Sequence, residues 1–390
     1  MTKYMNENAY KQTEIGIIPS NWEVKPLNEI SVSIASGKSK TKTQIGASFP
    51  IYGSTGIIGF STKPDYKGIR ILIARVGANA GIVNYVEGEY CISDNTLMVL
   101  LEEKIDFSFI FYFLKYSNLN KLIFGSGQPL ITGTQIKCLH IPLPPTKAEQ
   151  TAIATALSDA DALVSSLEIL IAKKRLIKQG AMQELLKPKE GWVEKKLGEI
   201  GSFKNGINKP SNEFGYGYPF VNLLDVFGKS RIFTTKNLSL VNTNDLERKM
   251  FDLKKGDLLF VRSSVKPEGV GLTCLITKNL LNTVFSGFII RFRENGFLSD
   301  EFKEYCFNSF NFRKKLILSS TVSANTNINQ EALKILTLFF PKSQQEQIRI
   351  AQILTDIDTE IDALEKKLEK YKIIKQGMMQ NLLTGKIRLV

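Results

Sequence analysis

From residue 350 to 382 the apolar side chains fall at Ile350, Ile353, Ile357, Ile361, Leu364, Leu368, Tyr371, Met378 and Leu382. Their intervals alternate between three and four, with one gap at Lys375. A stripe with a period near 3.5 is the seam of a coiled coil. The same rhythm runs through Ile153, Ala156, Ala160, Val164, Leu167, Ile171, Ala181 and Leu185, with smaller side chains. Each stripe predicts a helix of about 40 residues, roughly 60 Å long at 1.5 Å per residue. Elsewhere the pattern is shorter. Runs at Ile69–Ala74, Leu97–Leu101, Asp257–Val261 and Phe288–Phe292 read as strands, and Phe107–Leu122 and Ser299–Leu318 as helical patches.

The two stripes belong to an internal repeat. Glu149–Leu186 laid on Glu346–Leu383 without a gap matches at 18 of 38 positions, where unrelated chains of ordinary composition would match at about two or three. The matches include Glu149/Glu346, Gln150/Gln347, Asp159/Asp356, Asp161/Asp358 and Lys178-Gln179-Gly180 with Lys375-Gln376-Gly377. Upstream, Trp22 with Leu27-Asn28-Glu29-Ile30 pairs with Trp192 and Leu197-Gly198-Glu199-Ile200. Between these anchors only echoes survive. Ile71–Arg75 resembles Leu258–Arg262, and Ile131–Lys137 aligns with Ile328–Lys334. Pro142, Pro144 and Pro145 close one divergent unit and Pro341 the other, and Pro188 follows the first helix. The resulting expectation is an α+β chain with a pseudo-twofold internal repeat. Residues 1–147 and 188–341 form two α/β units, and 148–187 and 342–390 form two long helices that pair as an antiparallel coiled coil. The alternative is that each helix packs separately on its own neighbour. Gly180 and Gly377, near the helix ends, cost about 1 kcal/mol each against alanine. Close approach of another helix or a partner, or simple fraying, would explain both.

Composition narrows the function. The 390 residues suggest two to four domains, and 43% apolar content is ordinary for a folded protein. No apolar run reaches the roughly 18 residues of a membrane span, and Met1–Lys11 has no apolar secretion core, so a cytoplasmic protein is expected. Cys91, Cys138, Cys274 and Cys306 are too scattered for a zinc or disulfide framework and read as four buried thiols. His140 is the only histidine, which excludes multi-histidine metal chemistry.

The net charge is +13. Residues 1–147 contribute +4 and 188–341 contribute +7, against zero and +2 for the helical segments. Basic, divergent units on a repeated frame suit a protein that reads two different stretches of nucleic acid. Arg, Lys, Asn and Gln pair with base edges, while Ser, Lys and backbone N–H groups hold phosphates. The candidates in the first unit are Lys38, Lys40, Lys42, Arg75, Asn79 and Gln128. In the second they are Lys204, Asn205, Asn208, Lys209, Arg262, Ser263, Lys266, Asn325 and Asn327. Taken singly, each has the plain alternative of a solvated loop. Arg75 and Arg262 carry most weight because equivalent arginines end equivalent strands, although a structural salt bridge would also place them there.

Catalytic patterns are lacking. Phe124-Gly125-Ser126-Gly127 misses the glycine spacing of an S-adenosylmethionine loop, and Gln128-Pro129 follows where a helix should open. There is no N-P-P-[YF] tetrapeptide and no G-x-x-x-x-G-K-[ST] loop. Pro64-Asp65 with Glu102-Glu103-Lys104 forms a nuclease pattern only by force. Asp159/Asp161 and Asp356/Asp358 are two residues apart on helices and point to different faces, so they read as solvated surface.

Other features carry a resemblance. They are Thr13-Glu14-Ile15-Gly16 with Ile18-Pro19 and Trp22, and Gly125-Ser126-Gly127-Gln128-Pro129 leading to Ile131. With them come Ile141-Pro142-Leu143-Pro144-Pro145 before Glu149-Gln150 and Ile153, and Lys375-Gln376-Gly377 before Leu382-Leu383-Thr384-Gly385-Lys386. Over nearly its whole length the chain resembles the specificity subunit of type I restriction–modification systems. The second copy departs at Phe339-Phe340-Pro341-Lys342-Ser343, with one proline, and at Ser323–Asn327, which replaces the glycine-rich turn. The resemblance implies a non-catalytic subunit with two target recognition domains, each reading half of a split double-stranded DNA site. The paired helices would set the gap and dock two methyltransferase subunits, and two motor–nuclease (restriction) subunits would join them. S-adenosylmethionine, ATP and Mg2+ would belong to those partners, with no cofactor or metal on this chain. Half-site centres would lie about one turn, roughly 10 bp, apart on one side of the duplex. Two readings compete: a coiled-coil assembly or decoy subunit without sequence readout, and a self-contained methyltransferase or nuclease.

Overall fold

The computed structural model describes residues 9–39, 46–123, 129–322 and 325–389. Two compact units divide the chain: residues 1–169 with 366–390, and residues 170–365. Each long helix, Lys147–Leu185 and Gln344–Leu382, therefore gives residues to both units instead of standing apart from them. Both helices end with their apolar stripes, at Leu185 and Leu382, short of the expected bounds 187 and 390, and residues 383–389 turn back as a non-helical tail.

In the first unit an antiparallel sheet has the strand order Ser31–Ser36, Thr96–Leu101, Arg70–Ala74, Val83–Val86. In the second unit the order is Gly201–Asn205, Ile289–Glu294, Leu258–Val261, Thr273–Ile276, with Arg231–Ile232 added in parallel at the edge. The repeat thus persists in topology where it fades in sequence. A companion sheet in each unit contains one parallel pairing: Cys91–Ile92 on Ile51–Tyr52, and Val284–Phe285 on Phe220–Val221. The chain crosses between the two sheets at Gly37 and Gly206. A Cβ there would lie 2.1 Å from the Ile92 carbonyl oxygen and 2.2 Å from that of Phe285, so no other residue fits.

The patch at 107–122 is an α-helix, Phe107–Tyr116, followed by a 3-10 turn, Leu119–Leu122. The patch at 299–318 breaks into Asp300–Cys306 and Phe310–Leu318, the latter opening after Ser309. Cys91, Cys274 and Cys306 are buried, but Cys138 is exposed, because it caps a short surface helix, Gly133–Lys137.

The helix seam lies where the 3.5 period puts it. Ile153, Leu167, Ile171, Ile350 and Ile361 are buried, and Val164, Ile357, Leu364 and Leu368 are half-buried. Ile353 is the exception. It is 42% exposed, and the adjacent Leu354 takes its place in the core. The substitution follows from geometry, since the first turns pack on a sheet-bearing unit, which demands a wider stripe than a helix seam. Ile153/Ile350, Ala154/Ala351 and Leu157/Leu354, each identical between the copies, are all buried. Ion pairs fix the antiparallel register within each unit. In the first, Glu168 meets Lys372 at 2.7 Å and Asp161 meets Lys375. In the second, Lys174 meets Glu360 at 2.7 Å, Arg175 meets Glu365 at 2.6 Å and Lys178 meets Asp358 at 2.5 Å. Separate packing of the helices is thereby excluded. Neither Gly180 nor Gly377 has any neighbour where a Cβ would stand, and the helix continues past both, so neither close internal packing nor fraying accounts for them.

Candidate nucleic-acid interface

Each unit holds its arginine by the same backbone bonds. Arg75 follows the strand Arg70–Ala74; its N–H donates to the Asn95 carbonyl at 3.1 Å and its carbonyl accepts from Ile131 at 2.8 Å. Arg262 follows Leu258–Val261; its N–H donates to Phe288 at 2.9 Å and its carbonyl accepts from Ile328 at 3.0 Å. Their guanidinium groups differ in use. Arg75 Nη1 donates to Ser36 Oγ at 2.9 Å, and Arg262 Nη1 to the Gly287 carbonyl at 3.2 Å. Neither contact is a salt bridge, and each leaves further donors on a half-buried fork.

After the arginines the units part. In the first, a 3-10 turn, Gly77–Asn79, comes at once, and Asn79 Nδ2 donates to the Ser54 carbonyl at 3.1 Å. In the second, Ser263–Ser264 forms a strand against Thr326–Asn327, and the equivalent turn, Pro267–Gly269, comes three residues later. Asn327 Nδ2 donates to the Asn325 carbonyl at 2.9 Å. The structure therefore gathers Arg262, Ser263, Lys266, Asn325 and Asn327 into one loop cluster. Lys38 and Lys266 are exposed, and the exposed Asn208 lies against Gly287.

The Lys204–Lys209 stretch is engaged within the fold. Lys204 lies over the Phe251 ring at 5.3 Å, Asn205 ends a strand beside Gln330, and Lys209 pairs with Glu247 at 2.8 Å. That lysine holds the Glu247 carboxyl below its ordinary range. Lys40, Lys42 and Gln128 lie outside the described residues.

Sequence reasoning missed two constellations. Leu224, Phe227, Val265 and Phe288 are large apolar side chains standing exposed around the second cluster, a feature no periodicity signals. The other is a repeated polar junction at the helices. Tyr112 OH donates to Asp161 Oδ2 at 2.9 Å, and Tyr305 OH to Asp358 Oδ2 at 3.0 Å. Asp161 and Asp358, read above as solvated, are thus each bound to a tyrosine and a lysine. Burial, reinforced by the carboxylate, pushes both phenols above their usual range. The repeated Glu-Gln is structural too. Trp22 Nε1 donates to Glu149 and Trp192 Nε1 to Glu346, both at 3.3 Å. Gln150 and Gln347 donate to the carbonyls of Pro144 and Pro341 at 3.0 and 2.9 Å. Among the described residues no group of His, Cys, Asp or Glu is placed to hold a metal, and no helix is long and apolar enough to cross a membrane.

Comparison with known proteins agrees with this layout. Residues 19–174 and 189–372 match the model of the type I restriction modification DNA specificity domain. The chain is similar to the type I restriction enzyme MjaVIII specificity subunit of Methanocaldococcus jannaschii, at 26% identity over 99% of this chain and 98% of that one. A 28% identical stretch covers 30% of the chain and 29% of the EcoprrI specificity subunit of Escherichia coli. Among solved structures, the S subunit of a type I restriction–modification system from M. genitalium superposes with a TM-score of 0.59 at 18% identity, covering 93% of this chain and 96% of that one. A chain solved in work on assembly and conformational transition of the type I system gives 0.62 at 16%, covering 95% and 99%.

Proposed function

The chain belongs to the type I restriction–modification DNA specificity family, and from that premise we propose that its two recognition domains read the two halves of a split duplex site through the loops at Arg75 and Arg262. It is a specificity subunit and not the catalyst. The reading rests on one observation. Two arginines hang on identical backbone bonds, while the residues that follow them differ in length and chemistry. A common frame with variable loops is what two different half-sites require. Lys38 and Lys266 would hold phosphates and so fix register. Arg75, Arg262, Asn79, Asn208, Ser263, Asn325 and Asn327 would face base edges. Lys204, Asn205 and Lys209 would shape the loop that carries Asn208.

The partners follow from the repeat. Leu176 and Ile177, one turn before Gly180, recur as Ile373 and Ile374 before Gly377, and all four apolar side chains are exposed. We assign these duplicated patches to two methyltransferase subunits, one per copy, with two restriction subunits joining the same cytoplasmic complex. S-adenosylmethionine, ATP and Mg2+ are assigned to those partners. An assembly subunit without readout would leave the divergent, basic loops unused.

The test is co-expression with the cognate methyltransferase in a host lacking adenine methylation, followed by single-molecule sequencing for N6-methyladenine. A bipartite motif with a fixed unspecified gap is expected, and replacing residues 1–147 by those of a relative should change one half alone. A stable complex that methylates nothing would overturn the reading.

A further inference from the structure

The second recognition domain carries an open cup of about 560 Å3 beside the Arg262 loop. Leu223, Leu224, Phe227, Val265, Phe288 and Lys266 line it. Leu224 and Val265 are each 81% exposed, Phe288 55% and Phe227 46%. Apolar side chains so exposed and so grouped mark a binding surface.

The first domain treats the same place differently. Ser93 and Ser286 donate from equivalent backbone positions, to the carbonyls of Tyr52 and Val221. Leu223 and Leu224, two and three residues past Val221, thus correspond to Ser54 and Thr55. Phe288, which accepts from the Arg262 N–H, corresponds to Asn95, which accepts from that of Arg75. Gly269 ends the 3-10 turn that Asn79 ends in the first domain. A side chain at Gly269 would strike Phe227 and Ser264, whereas Asn79 spans to the Ser54 carbonyl at 3.1 Å. Val265 and Lys266 sit in the three-residue lengthening of the second loop. One domain therefore has a polar, bridged surface and the other an apolar cup, at the same position on the same frame.

We propose that this cup is a base-reading site that takes thymine C5-methyl groups in the major groove of the second half-site. The inference rests on the DNA-reading function above and specifies its chemistry. The thymine methyl is the one apolar group that base pairs present in that groove, and apolar side chains are its partners. Lys266, a cation that suits a flanking phosphate, lines the cup, and no acidic side chain does so among the described residues. Its openness to solvent suits the edge of a stacked base pair. In the first domain Asn79, Asn95 and Thr55 offer hydrogen bonds instead, so its half-site would be read by donors and acceptors there.

The assay uses the purified complex with its methyltransferase, and duplexes in which each thymine of the second half-site is replaced in turn by deoxyuridine. At one or two positions the methylation rate should fall about four-fold, the worth of one buried methyl. Thymines of the first half-site should show no such effect. The triple variant L224T/V265A/F288N should lose this discrimination, and its methylome should keep the first half-site while one position of the second becomes degenerate. Deoxyuridine without effect, or a second half-site containing no A·T pair, would overturn the proposal even where the wild-type motif is bipartite. A variant that binds DNA but sheds its methyltransferase would assign the cup to a partner protein and overturn it equally. If the wild-type complex yields no bipartite motif, the specificity function itself fails. The deoxyuridine comparison needs no variant, so misfolding of the triple variant would not shield the idea.

Discussion

Glu149 and Glu346 are identical in the repeat, yet their surroundings set them apart. Glu149 is buried and accepts from the Trp22 indole and from Nε and Nη2 of Arg388, the latter two at 2.8 and 2.9 Å. Glu346 is half-buried and accepts Trp192. Removing one partner of an ion pair whose carboxylate is buried costs more than removing a single long hydrogen bond at a half-buried carboxylate. Glu149→Ala should therefore destabilise the first unit by about 3 kcal/mol, and Glu346→Ala the second by about 1 kcal/mol. Thermal melting of the two variants checks the difference, and equal losses would refute it. The repeat made both glutamates visible in the sequence. The asymmetry was not, because Arg388 reaches Glu149 across 239 positions of chain.

The long helices were legible because a 3.5-residue period is local information. Ile353 was misplaced because the period holds only where helix faces helix. Gly37 and Gly206 escaped as a matched pair because their neighbours differ, and the carbonyl each must admit belongs to a distant strand. At the polar junctions, the raised phenols of Tyr112 and Tyr305 set a pH dependence. A folded value above the unfolded one favours the fold fully below about pH 10, and that advantage disappears as the unfolded tyrosines ionise. Stability against urea should fall between about pH 10 and 12, and Y112F/Y305F should fall less steeply over that range. The open glycines give a second expectation at this scale. Gly180→Leu and Gly377→Leu should each leave melting unchanged or raised, since glycine is the poorer helix former. On the docking proposed above, each should also lower the amount of methyltransferase bound, which mass measurement of the complex reads directly.

For the whole molecule, the repeat and the charge pattern identified two reading units on a helical frame, while the apolar cup and the lengthened second loop needed tertiary structure to appear. Inserting four residues into one long helix should widen the unspecified gap of the methylated motif and leave both half-sites intact; an unchanged gap would end the spacer role. The ion pairs along the helices have a further consequence. Asp161 and Lys178 stand 17 residues apart on the first helix and meet Lys375 and Asp358, also 17 apart, on the second. A helix that meets a reversed copy of its own charges is self-complementary. Either half of the chain, separated from the other, therefore carries the surface of an isologous dimer, and a dimer of one half would read a palindrome.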